Sequence, residues 1–129
     1  MKELNISRII VFAVALLLFH VLDGLFIPSE AFSARAFWFI IGYLIQAVIV
    51  IAIFAKLAQI QTHLLYVHVV CVFILCELLG FAVLLALGEN VLATPIIVMI
   101  FDYGLLCVLT IIGTEIGRRL RVTAKKESN

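Results

Sequence analysis

Five polar side chains interrupt the long apolar runs of this chain: His20, Asp23, Gln46, Glu77 and Asp102. His20 and Asp23 are three residues apart. On a helix both project from one side, and an imidazole beside a carboxylate is an ordinary proton-sharing pair. Glu77 is the single carboxylate of the stretch C-V-F-I-L-C-E-L-L-G, Cys71 to Gly80. A carboxyl in hydrocarbon needs a partner or a proton. Placing an Asp at the centre of a spanning helix costs about 2.5 to 3.5 kcal/mol, whereas each Leu, Ile, Phe or Val returns only about 0.3 to 0.6. An acid that alternates between neutral and charged forms at such a depth can exchange a proton for another cation, and that is the chemistry these residues suggest.

A plainer reading is that the same groups hydrogen-bond one another and hold helices together, each contact contributing about 0.6 kcal/mol. Asn or Ser would serve that purpose at lower insertion cost, which favours a functional role for the carboxyls. Asp23 is the exception, because near the external face a solvated carboxylate needs no special role. Other chemistries lack a motif. His20, Asp23, Glu77 and Asp102 are acceptable metal ligands, but no second histidine stands at their level, so no metal is expected. Haem is not expected either, since His68 falls about 11 Å below His20. His63 and His68 are expected at the membrane interface with Tyr66. There is no phosphate-binding loop, no H-E-x-x-H and no nucleophile elbow, so neither an enzyme nor a cofactor is expected. Cys71, Cys76 and Cys107 all fall in apolar runs without C-x-x-C pairing and read as small apolar fillers.

The elements that position these residues follow from composition. Of 129 residues, 66% are hydrophobic and 13% charged, far from the mix of a soluble domain. A spanning helix needs about 20 mostly apolar residues. Four runs qualify, at about 9–27, 36–55, 64–87 and 95–116, leaving a basic tail at 117–129. The expected fold is all-α: a polytopic membrane protein of four transmembrane helices in a small bundle, forming one unit. The first run exceeds a signal-peptide core and has no tidy cleavage site behind it, so it reads as a retained span. All but Arg35 of the nine Lys and Arg residues fall on one side of this threading, which predicts both termini in the cytoplasm. The external connections are then Asp23 to Arg35 and Gly88 to Thr94. Pro28 is expected to stop the first span, and Thr94-Pro95 to cap the fourth.

Counted inward from the cytoplasmic ends, Gln46 lies about 14 Å up its span, His20 about 17 Å, Glu77 about 20 Å, and Asp23 and Asp102 about 21 Å. They form one layer, with Asp102 and His20 as the expected partners of Glu77. Gly42 and Gly80 sit a turn from Gln46 and Glu77, and Gly113 to Gly117 reads G-x-x-x-G, all residues suited to close helix approach. Glu115 has the spacing to pair with Arg118 or Arg119. The basic cluster of Arg118, Arg119, Arg121, Lys125 and Lys126 suits anionic lipid and gives no support for nucleic acid. No convincing internal repeat occurs. The sequence therefore reads as a bacterial inner-membrane protein, with proton-linked transport of an ion or small cationic solute as its function. The alternative is a non-catalytic membrane subunit or assembly protein that uses these residues only for packing. A bundle of four short helices has little interior, so transport of anything larger than an ion implies a homodimer or larger complex.

Overall fold

The chain folds into four helices, α1 (Ile6–Phe26), α2 (Phe32–Ile60), α3 (Leu65–Ala86) and α4 (Ile96–Glu127), with no strand among the described residues. The computed structural model describes the backbone of residues 4–26, 32–88 and 96–127; within these, the side chains at 20, 22–26, 32–39, 98–99 and 125–127 are outside the description. Three segments are long and apolar enough to cross a membrane, Ile40–Ile60, Leu65–Ala86 and Ile100–Ala124, while α1 contributes the shorter apolar stretch Ile6–Phe19 among the described residues. Such helices mark a membrane-embedded chain. Their outward faces agree, because Val11, Val48, Leu78 and Ile111 are exposed and apolar, as contact with lipid tails requires.

The helices outrun the apolar runs that the sequence marks. α2 extends to Ile60 and so includes Lys56, and α4 continues through the basic segment as far as Glu127. The connection between α1 and α2 is also shorter than Asp23 to Arg35, since α1 reaches Phe26 and α2 has begun by Phe32. The reason is physical: a helix persists wherever its backbone bonds can form, whereas hydropathy reports only where apolar side chains stop. Pro28, Thr94 and Pro95 lie outside the described residues.

Apolar residues at three- and four-residue steps build one core: Ile9, Ala13 and Leu16 from α1, Val50, Phe54 and Leu57 from α2, Leu65, Val69, Val72 and Cys76 from α3, and Leu106 and Leu109 from α4. The threading makes α1 parallel to α3 and α2 parallel to α4, and these parallel pairs are the most extensive packings, with α1 against α2 joining them. The α2–α4 contact is the closest because two glycines permit it. A Cβ added at Gly113 would stand 2.7 Å from the Ile51 carbonyl oxygen, and one added at Gly117 would meet the Ala55 carbonyl even more closely. Gly80 makes only an ordinary contact, 3.7 Å from its added Cβ to Leu17 Cδ1. α3 and α4 do not pack closely in this way. Long polar side chains bridge them instead.

Local backbone geometry fixes helix ends at both ends of the bundle. Asn5 caps α1, its Oδ1 accepting the Arg8 N–H at 3.1 Å. α3 starts from Leu64, a non-glycine residue at φ 51°, whose carbonyl accepts the His68 N–H at 3.0 Å. At its other end α3 closes on Gly88, φ 75°, whose N–H donates to Leu85 O at 3.1 Å in the left-handed conformation common after helices.

Candidate proton and cation site

Two phenol–carboxyl pairs form where α4 faces its neighbours. The Tyr43 hydroxyl on α2 donates to Asp102 Oδ1 at 2.6 Å, and its ring meets Phe101 edge-on with centroids 6.4 Å apart. On the adjacent residue, the Tyr103 hydroxyl is hydrogen-bonded to the Glu77 carboxyl of α3. Tyr103 is the sequence neighbour of Asp102. Glu77 is half-buried and Asp102 exposed. Neither acid pairs with a cation among the described residues, where the one salt bridge is Arg118 to Glu115. Consecutive helix positions point about 100° apart, which is why Asp102 reaches α2 while Tyr103 reaches α3.

This arrangement differs from a single layer in which Glu77 bonds Asp102. Each acid instead has its own tyrosine, Tyr103 for Glu77 and Tyr43 for Asp102. Gln46 is half-buried on α2, three residues after Tyr43, and Gly42 is half-buried beside it. The side chains of His20 and Asp23 lie outside the described residues. Sequence reading missed Tyr43 and Tyr103, because an aromatic in an apolar run looks like packing, and placed Tyr66 without its bond to Glu115. The available signal was adjacency, since Asp102 and Tyr103 are neighbours in sequence.

A third phenol–carboxyl pair ties α3 to α4 at the basic end. Tyr66 donates to Glu115 Oε1 at 2.8 Å, while Arg118 holds Glu115 Oε2 at 2.7 Å from Nη2 and 3.0 Å from Nε. Beside it lies a polar knot absent from the sequence reading. Arg8 Nη1 donates to Ile60 O at 3.1 Å and Gln61 Oε1 at 2.8 Å, and Arg121 Nη1 donates to Ala58 O at 3.0 Å and Gln61 O at 2.8 Å. Two arginines from different helices thus satisfy the last carbonyls of α2, where the helix dipole is negative. Arg121 is accordingly turned inward, away from any lipid.

His68 is fully buried, at 0% exposure, beneath the N-terminus of α1, whereas Tyr66 is exposed. Its Nε2 accepts the Asn5 N–H at 3.0 Å and its Nδ1 lies 2.9 Å from Leu64 O. That pairing requires the neutral tautomer with hydrogen on Nδ1. His68 shares a helix face with Leu65, Val69 and Val72, which directs it into the core, whereas Tyr66 falls on the face toward α4.

Chemically, the acids and phenols offer proton acceptors and donors without a fixed positive charge. Among the described residues no three His, Cys, Asp or Glu side chains gather as a metal site. The three thiols are free, with Cys76 buried, Cys71 half-buried and Cys107 exposed. Compared with known proteins, the chain matches no protein family, no curated protein and no solved structure.

Proposed function

We propose that the chain is a four-span membrane protein that binds a proton, or exchanges it for a small cation, at Glu77. Both termini are cytoplasmic in this reading, and the bacterial inner membrane is its location. The observation that carries it is the partnering of Glu77 and Asp102 by tyrosine hydroxyls rather than by cations. A lysine or arginine would fix a carboxylate in its charged form, whereas a phenol tolerates both forms of the acid and leaves it free to titrate. Arg118 and Arg119, exposed beyond the last apolar turn, support a contact with anionic lipid headgroups.

The test is infrared titration of the purified protein in lipid, with Glu77→Gln to identify the band. A Glu77 carboxyl that titrates within the physiological range, and whose midpoint moves when a candidate cation is added, is the expected result. A band indifferent to pH and to every cation counts against it. One observation favours the rival reading of an interaction subunit: Asp102 is exposed and Tyr103 44% exposed, as expected for side chains that a partner helix covers. In that case Glu77→Gln leaves function intact and disrupts only assembly when Asp102 is also changed.

A further inference from the structure

The buried stripe of each helix fades toward the end of the bundle that bears Gly88. Among the described residues, the last buried side chains in that direction are Leu16 on α1, Val50 on α2, Cys76 on α3 and Leu106 on α4. Helix periodicity carries the same faces onward, because residues three, four and seven apart share a side. Seven residues beyond Cys76 the α3 stripe reaches Val83, and seven before Val50 the α2 stripe reaches Tyr43; both are half-buried. On α4 it reaches Tyr103 and Asp102, three and four residues before Leu106, and both are exposed. Positions that face the interior at the basic end are therefore open at the other. The helices α2, α3 and α4 are packed at one end and parted at the other.

The chemistry of the stripe changes where the packing stops. In the packed half it is Val50, Phe54 and Leu57 on α2, and Leu106 and Leu109 on α4. In the open half it carries Tyr43 and Gln46 on α2 and Asp102 and Tyr103 on α4, and Tyr103 in turn holds Glu77. The outward faces do not change in this way, since Val48, 67% exposed, and Leu78, 62% exposed, are apolar. Lipid tails cover such outward faces but offer nothing to a carboxyl or an amide. Polar side chains on inward positions that packing leaves open are served by water. No such path continues to the basic end. There Val69, Val72 and His68 are buried on α3, and Gly113 and Gly117 seat α4 on the backbone of α2. A close-packed apolar stretch of this kind excludes water, as hydrophobic constrictions do in channels.

We infer that the helices enclose a water-filled mouth open at the Gly88 end, and that in this conformation Glu77 exchanges its proton with that face alone. This rests on the proton-exchange reading of Glu77. In the exchange, hydronium gives a proton to the Glu77 carboxylate and leaves as water, and the reverse step releases it. Asp102 and Tyr43 line the same mouth, and the core shared by all four helices is its floor.

The experiment places single cysteines in the otherwise unmodified chain in vesicles. A charged, membrane-impermeant thiol reagent is supplied to one face at a time, and adducts are mapped by mass so that each thiol is read separately. Ala47→Cys and Val83→Cys are inward and half-buried; from the Gly88 face they should react at least about tenfold faster than Val48→Cys and Leu78→Cys, because the reactive thiolate forms in water and not in lipid. Exposure alone predicts the reverse order. Arg119→Cys marks the opposite face and should react only from there, while the native Cys76 should resist the reagent from both. Leu79→Cys, on the same stripe, replaces Val83→Cys if that variant does not fold. Inward thiols as slow as the outward ones overturn the mouth, whether lipid tails or a partner helix fills it. Inward thiols that react equally from both faces overturn the one-sided access. A Glu77 infrared band that ignores pH while the thiols react as expected overturns exchange at Glu77 and leaves the mouth standing.

Discussion

The tyrosines decide what the acids can do. Tyr103 and Tyr43 each give one hydrogen bond to a carboxyl, so removing either hydroxyl has a local and separable effect. Tyr103→Phe should shift the Glu77 carboxyl band toward that of an unbonded acid and leave Asp102 unchanged. Tyr43→Phe should do the reverse. Each should cost about 1 kcal/mol of stability, read from unfolding in detergent. If either substitution moves both bands equally, the two acids are one coupled site and not two. His68 makes a different kind of prediction. Its ring is held between a donor and an acceptor, so nitrogen NMR should find the neutral form with hydrogen on Nδ1, and His68→Phe should cost about 2 kcal/mol by orphaning the Asn5 N–H, while the Leu64 carbonyl keeps its bond from the backbone N–H of residue 68.

Among elements, α4 carries the greatest constraint. Its glycine face lies on the backbone of α2 at Ile51 and Ala55, so Gly117→Leu should force the pair apart and cost at least about 3 kcal/mol. Gly104 on the same helix has nothing within 4 Å of an added Cβ, and Gly104→Ala should be tolerated or mildly stabilising in the same unfolding assay. Equal losses at the two glycines would mean that the close packing of α2 and α4 contributes nothing. The C-terminus of α2 gives a second handle. Arg121→Met removes both bonds to Ala58 and Gln61, and should raise amide exchange in the last turn of α2 well before it affects α3.

For the molecule as a whole, hydropathy shows in the sequence where the helices are and charge predicts how they thread. Reporter fusions after Arg121 should be active in the cytoplasm, and an external signal there would reverse every depth assigned to Glu77 and Asp102. What hydropathy does not contain is which helices become neighbours. Arg8 and Gln61 lie far apart in the chain, as do Tyr66 and Glu115, and their bonds form only because the bundle brings α1 to the end of α2 and α3 beside α4. The G-x-x-x-G pattern was legible as a close-packing face, but its partner at Ile51 and Ala55 was not. Glu77 and Asp102 stood out because charge in an apolar run is conspicuous. Their phenolic partners did not, since Tyr is comfortable in many settings.

The arginine clamp on α2 has a consequence for how the protein is made. Arg8 is synthesised before α2 and Arg121 only after the first three helices. A nascent chain that has already inserted three helices therefore carries an α2 whose terminal carbonyls are half-satisfied and whose flank against Gly113 and Gly117 is bare. Closure waits for the last helix. A chain that stops before Arg121 leaves the Ala58 and Gln61 carbonyls without that partner.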